Sequence, residues 1–240
     1  MDLVLNQLVE RLKKAYGEGL VSVVLYGSAA AGEHQPKFSD LNVLCVLKEI
    51  SRRELGASEE VFGWWRERGN PSPLLLTEPE IASSTDCFPM EFTDIRRHHR
   101  VLFGKDVASV LEVDGRFYRA QVERELRAML LRLRQKAAGM ISDPDLLRRL
   151  LADSISTFCV LFRHALALHG RDVPPARREV IRAAVDHFGI DPAPFEKLLD
   201  LRERRVKPRD VEPVALVTAY LRGIALIIDA VDRLEKQEIA

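Results

Sequence analysis

Gly27-Ser28 and Asp40/Asn42 have the residue types and the spacing to handle a phosphate and a divalent cation. The glycine and serine close one apolar run, Leu20 to Tyr26. The other two residues stand near the start of the next run, Phe38 to Leu47. Glycine at 27 lets a ligand come close to the backbone with no Cβ in the way. Ser28 and the amides after it can open a helix whose N–H groups and positive dipole end face an anion, and Ala29 to Ala31 favour that helix and leave room. On an extended strand, positions 40 and 42 project to the same side, so a carboxylate and an amide oxygen emerge together. Paired carboxylates in such a place are the usual cage for Mg²⁺ bound to nucleotide phosphates. An amide brings no negative charge, so this pair holds a cation with less neutralisation than two acids would.

The elements that must position these groups are legible around them. Leu5, Leu8, Val9 and Leu12 recur at helical spacing, which predicts a helix over residues 3–16, ended by Gly17 and Gly19. Leu20 to Tyr26 reads as a buried strand. Phe38 to Leu47 reads as a second, with Leu41, Val43, Cys45 and Leu47 on its core side. A helix over residues 51–68 carries Val61, Trp64 and Trp65, with the tryptophans packing on the core. Leu74 to Leu76 is a short strand, followed by capping-box spacing from Thr77 to Glu80. Pro89 to Ile95 reads as a further strand. Glu91, Thr93 and Ile95 lie on one side of it and Phe92 and Asp94 on the other. From Phe117 onward the pattern is helical: residues 117–138, then Asp143-Pro144 to Gly170, residues 174–188, a short helix opened by Asp191-Pro192, and residues 211–238. The expected architecture is an α/β (α+β) domain with a mixed sheet over residues 1–116 and an all-α helical bundle over residues 117–240.

The ordered set Gly27-Ser28, Gly32 and Ser39-Asp40-Leu41-Asn42, carried on strand, turn, loop and strand, resembles a known signature. It is the Gly-Ser…Asp-x-Asp/Glu pattern of the nucleotidyltransferase superfamily related to DNA polymerase β. Within that superfamily the layout resembles the aminoglycoside nucleotidyltransferases and related small bacterial two-domain proteins. Pro89-Met90-Glu91-Phe92-Thr93 is similar to the stretch where some aminoglycoside adenylyltransferases carry a catalytic glutamate. The resemblance therefore implies that role for Glu91, with Asp94 as the competitor. The implied activity is transfer of a nucleoside monophosphate from a Mg²⁺–NTP complex, with ATP as donor, to a hydroxyl of a small-molecule acceptor. Gly27 and Ser28 would hold phosphates, Asp40, Asn42 and Glu91 would hold Mg²⁺ or Mn²⁺, and Glu91 would take the acceptor's proton. The superfamily expects an acid at position 42, and this chain has Asn42. That departure supports a second reading, a catalytically degenerate nucleotide-binding or regulatory module of toxin–antitoxin type.

Composition narrows the alternatives. Lys+Arg and Asp+Glu both total 36, so no global basic field points to nucleic acid. The first 117 residues carry 14 basic and 18 acidic side chains and the rest carry 22 and 18, a modest shift at the domain boundary. Cys45, Cys87 and Cys159 share no metal-ligand spacing and fit a reducing compartment. The mixed charges of the N-terminal residues and the lack of any uncharged apolar window near about 18 residues, the most apolar stretch Leu221 to Val231 holding Arg222 and Asp229, predict a cytoplasmic chain with no membrane span. The apolar positions of the last helix, among them Ile224, Ile227, Ile228 and Val231, are expected to form bundle core or a homodimer face. His98-His99 among arginines, and the run Arg204, Arg205, Lys207 and Arg209, read as solvated basic segments. Arg182…His187 and Arg163…His169 resemble the Arg-x4–6-His pattern of HEPN-type ribonuclease domains, a spacing common by chance on helices.

Overall fold

Leu20–Tyr26 (β1), Asn42–Leu47 (β2), Leu74–Thr77 (β3) and His99–Gly104 (β4) form one four-stranded sheet in the order β3-β2-β1-β4. The computed structural model describes residues 1–27, 29–30, 41–113 and 115–238. They divide into two compact units, Met1–Tyr118 and Arg119–Ala240.

In the first unit β1 runs antiparallel to both β2 and β4, while β3 lies parallel to β2, which makes the sheet mixed. Alternation along the strands serves two cores. Val23, Leu25, Val43, Cys45 and Leu47 pack against Asp2–Tyr16 (α1) and Arg52–Arg66 (α2). Val24, Leu44 and Val46 pack against Glu78–Ser83 (α3) and Pro89–Arg97 (α4) through Ile81, Phe92 and Ile95. Both faces are covered, which is why β1 and β2 read as nearly unbroken apolar runs. Capping boxes start α2 (Ser51 with Glu54) and α3 (Thr77 with Glu80). Trp65 is fully buried, whereas Trp64 lies between the guanidiniums of Arg11 and Arg68, 4.6 and 4.2 Å from its ring centroid.

Two expectations in this unit fail. Pro89 to Ile95 is not a strand but the helix α4, with Pro89 in its first turn. A first-turn proline followed by an acid is a helix start. Thr93 and Ile95 disguised it, and a segment this short fits either period. On the helix Phe92 and Ile95 share the buried side, and Glu91 and Asp94, three residues apart, also share a side instead of facing opposite ways. The missing edge strand is β4, which begins at His99. The segment read as a solvated basic turn is therefore paired along β1, with Tyr26 opposite His99.

The second unit consists of Gly115–Ala138 (α5, which begins in the first unit), Pro144–Leu168 (α6), Arg177–Phe188 (α7), Pro192–Arg202 (α8) and Pro213–Glu238 (α9). Asp143 caps α6 and Asp191 caps α8, each accepting first-turn amides, and each helix then opens on a proline. Phe158, Phe162, Phe195 and Tyr220 form the centre, with ring centroids 5.1–5.9 Å apart. The buried Tyr220 hydroxyl lies 2.9 Å from Ser154 Oγ. Arg178 ties α7 to Asp200 at 2.6 Å and Glu203 at 2.7 Å. By length and composition α6 and residues 213–234 of α9 are apolar enough to cross a membrane. Within the unit α6 packs against α7, α8 and α9, and Ile224, Ile227, Ile228 and Val231 of α9 are buried.

Candidate functional site

The chain leaves β1 through Gly27, and the geometry there follows from the missing side chain. Gly27 has φ +79°, a left-handed conformation that other residues adopt at a cost. A Cβ on it would stand 3.3 Å from Asn42 Nδ2. Its N–H donates to the carbonyl of His98 at 3.1 Å, and its own carbonyl accepts from Ala30 N–H at 3.0 Å, which turns the chain back. Ala29 is buried in the α1/α2 core, so the turn is anchored from beneath.

Register brings three side chains together at this end of the sheet. Tyr26 pairs with Asn42 on one side and with His99 on the other, so all three project to the α4 face. The backbone just before Asn42 is also held. Leu41 is buried under α1 and α2, and its N–H donates to Asn70 Oδ1 at 3.3 Å from the loop after α2.

Glu91 belongs to the first turn of α4 and is exposed. It lies near enough to Tyr26 for its charge, added to burial as the larger cause, to push the Tyr26 phenol above its ordinary pKa. His99 is committed elsewhere. Its Nδ1 lies 3.1 Å from the Arg96 carbonyl and its Nε2 3.3 Å from Asp106 Oδ1. The Asp106 carboxyl is held below its usual range, chiefly by the Ser109 N–H and further by Ala108 N–H and His99. Neither ring nitrogen of His99 is left to ligate an ion.

Of the predicted site residues, the structure sets Gly27 against Asn42 beside Tyr26, with Glu91 on α4 near enough for its charge to act on the Tyr26 phenol. Ser28, Gly32 and Asp40 lie outside the described residues. Among the described residues no three His, Cys, Asp or Glu side chains cluster closely enough to hold a metal. The donors gathered are all oxygen, one amide and one carboxylate, which is the chemistry Mg²⁺ and Mn²⁺ prefer. Sequence reasoning missed Tyr26 and Asn70. Tyr26 carried a signal, an aromatic directly before Gly-Ser in a strand, while Asn70 carried none, because its partner is a backbone amide distant in sequence.

In the helical unit the two Arg…His candidates are brought together in an unforeseen way. His169 and His187, from separate segments, meet edge to face with ring centroids 4.9 Å apart, and Arg163 is buried. Burial, and then the charge of His187, hold the His169 imidazole below its ordinary pKa. Arg204 has φ +59°, the only positive-φ residue other than glycine among those described.

Comparison with known proteins adds three findings. The family model described as nucleotidyltransferase domain matches residues 5–126. A Methanocaldococcus jannaschii protein carrying the name "Putative protein adenylyltransferase" is 23% identical over 111 residues, 44% of this chain and 74% of that one. The crystal structure of a spectinomycin adenyltransferase from Enterococcus faecialis, with ATP and spectinomycin, superimposes with a TM-score of 0.57 at 12% identity. That superposition covers 96% of this chain and 99% of the other, a likeness of fold along the whole length.

Proposed function

The chain belongs to the nucleotidyltransferase domain family, and from that premise we propose that it transfers an adenylyl group from ATP to a hydroxyl of a small molecule. The observation that carries this reading is the sheet end itself: a bare, left-handed Gly27 against Asn42, with Glu91 beside Tyr26. Backbone without a Cβ is what a polyphosphate needs for close approach, and the oxygens around it suit a hard cation. Adenylyl is favoured over other nucleotidyl groups because both named relatives are adenylyl-transferring proteins by name. A small acceptor is favoured because the likeness to the spectinomycin enzyme spans the whole chain, whereas the match to the other relative spans 44% of it.

In this reading Gly27, whose own N–H is held by the His98 carbonyl, leaves room for the β- and γ-phosphates to approach, and Ser28 binds them through its N–H and hydroxyl. Asp40 and Asn42 would hold Mg²⁺. The ion, when bound, supplies positive charge against the negative charge of the triphosphate. Glu91 accepts the proton of the acceptor hydroxyl. The oxygen then forms its bond to the α-phosphorus in line with the departing pyrophosphate, whose bond to that phosphorus breaks. Most of the acceleration would come from positioning and electrostatics.

Incubation with α-labelled ATP, Mg²⁺ and a panel of hydroxyl-bearing acceptors tests the reading. Label should move to an acceptor with release of pyrophosphate, and Asp40→Ala should abolish it. Asn42 favours one second reading, a nucleotide-binding module without turnover, because an amide stands where a second charge would sit. ATP binding without transfer under any acceptor would establish that alternative. Asn42→Asp separates the two mechanistically. It restores a charge beside Asp40 and should tighten Mg²⁺ binding on the order of tenfold. Unchanged metal affinity would remove residue 42 from the site.

A further inference from the structure

The opposite end of the sheet carries a cavity that the proposed reaction does not use. It has a volume of about 560 Å³, within the size range of small-molecule sites. Its position follows from register. Thr77 pairs with Leu47 at the end of β2, and Glu78, which lines the cavity, comes next. Lys105, on the other wall, follows Gly104, which pairs with Ser22 near the start of β1. Strand rise puts Leu47 roughly 17 Å from Asn42, so a ligand here would not touch the groups around Gly27.

The walls are apolar and the rim is acidic. Ile81, Val107 and Leu111 supply buried surface, and Val110 adds an isopropyl group that is 71% exposed. Thr85 contributes a hydroxyl. Two carboxylates and one ammonium lie at the rim, and they do not cancel. Lys105 is taken by Glu78 in an ion pair. Glu112 has no ion pair or hydrogen bond among the described residues. Among the described lining residues the cavity therefore presents apolar surface and one carboxylate in excess: Lys105 is paired with Glu78, and Arg96, outside the lining, donates to the Leu111 carbonyl at 3.3 Å. An anionic ligand would meet Glu112 with no unpaired cation among the described lining residues to balance it, and a neutral one would leave the charge unused.

We propose that this cavity binds a small molecule with an apolar body and one protonated amine, seated with its body against Ile81, Val107 and Val110 and its ammonium at Glu112. The site is independent of the adenylyl-transfer reading. It stands or falls on the geometry of α3, β4 and the segment after β4.

The test uses the full chain and a matched pair of probes, 2-phenylethylammonium and phenylacetate, followed by calorimetry and by thermal unfolding. For a probe of this size the expected dissociation constant is on the order of 1 mM. The ammonium should bind and raise the melting temperature, and the carboxylate should do neither. Ala82 is an exposed position on the cavity wall, and Ala82→Phe fills the space, so it should abolish binding while leaving the fold intact. Val110→Lys should reverse the preference and admit phenylacetate over the ammonium. Glu112→Gln should weaken the ammonium about threefold, the effect of one exposed charge. Equal binding of both probes, binding that survives Ala82→Phe, or no binding at tenfold higher concentration would each overturn the proposal.

Discussion

Replacing Gly27 with alanine separates a turn glycine from a phosphate-site glycine. At φ +79° an alanine pays about 1–2 kcal/mol for the left-handed conformation. Its methyl would also stand 3.3 Å from Asn42 Nδ2, closer than such contacts usually lie, so Asn42 must give by a few tenths of an ångström. The methyl covers the backbone that the phosphates are proposed to approach. Two losses follow. Urea unfolding should show the 1–2 kcal/mol of strain, and ATP affinity should fall at least tenfold, about 1.4 kcal/mol. Gly17 supplies the control. It too has positive φ, +53°, in the same unit, but a Cβ there has no atom within 4 Å. Gly17→Ala should lose stability from strain and keep its ATP affinity. Should the two variants lose ATP affinity to the same small extent, Gly27 is only a turn residue, and the phosphate-binding argument fails with it.

Gly104→Ala places a Cβ 2.0 Å from the Val21 carbonyl oxygen at φ +75°, and because the obstacle is backbone, β4 must leave β1. The cost should reach about 3 kcal/mol or more by urea denaturation, and amides of β4 should lose exchange protection. Arg204→Gly relieves the left-handed strain at φ +59° and should stabilise the helical unit by up to about 1 kcal/mol in the same assay. His169 has a folded-state pKa depressed below its ordinary 6.5, so the unfolded chain binds the proton more readily. Its contribution is present above pH 6.5 and is lost as pH falls through that value toward the folded-state pKa. The urea midpoint should drop between about pH 7.5 and pH 5.5, and His169→Gln should flatten that slope.

Most of the fold could be read because its signals are local. The bundle helices α6, α7 and α8 announce themselves through proline starts or a glycine stop, at Asp143-Pro144, Gly189 and Asp191-Pro192. The strands β1 and β2 are buried on both faces, so their apolar runs are unambiguous. What escaped was decided by partners distant in sequence. Strand β4 opens with His99 and Arg100, and pairing to β1 overrides that polar start, helped by an Arg100–Asp2 contact of 2.8 Å to α1. The segment holding Glu91 fits either period because it is short: Thr93 and Ile95 alternate with Phe92 as on a strand, while Phe92 and Ile95 share one face of a helix. At the site, Gly27 and Asn42 were legible from type and spacing. The link from Asn70 to Leu41 is a tertiary contact that no local pattern encodes.

Placing Glu91 on α4 changes how the site can make up for Asn42. As alternating residues on a strand, Glu91 and Asp94 would point to opposite faces, and only one could serve. On a helix they are one turn apart on one side, so α4 can present two carboxyl groups to the same end of the sheet. In the proposed reaction α4 would be the source of the charge missing at position 42. Tyr26 is the hinge of that argument. It stands in register with Asn42, and its phenol responds to the charge of Glu91, so the sheet end and the helix share one electrostatic environment.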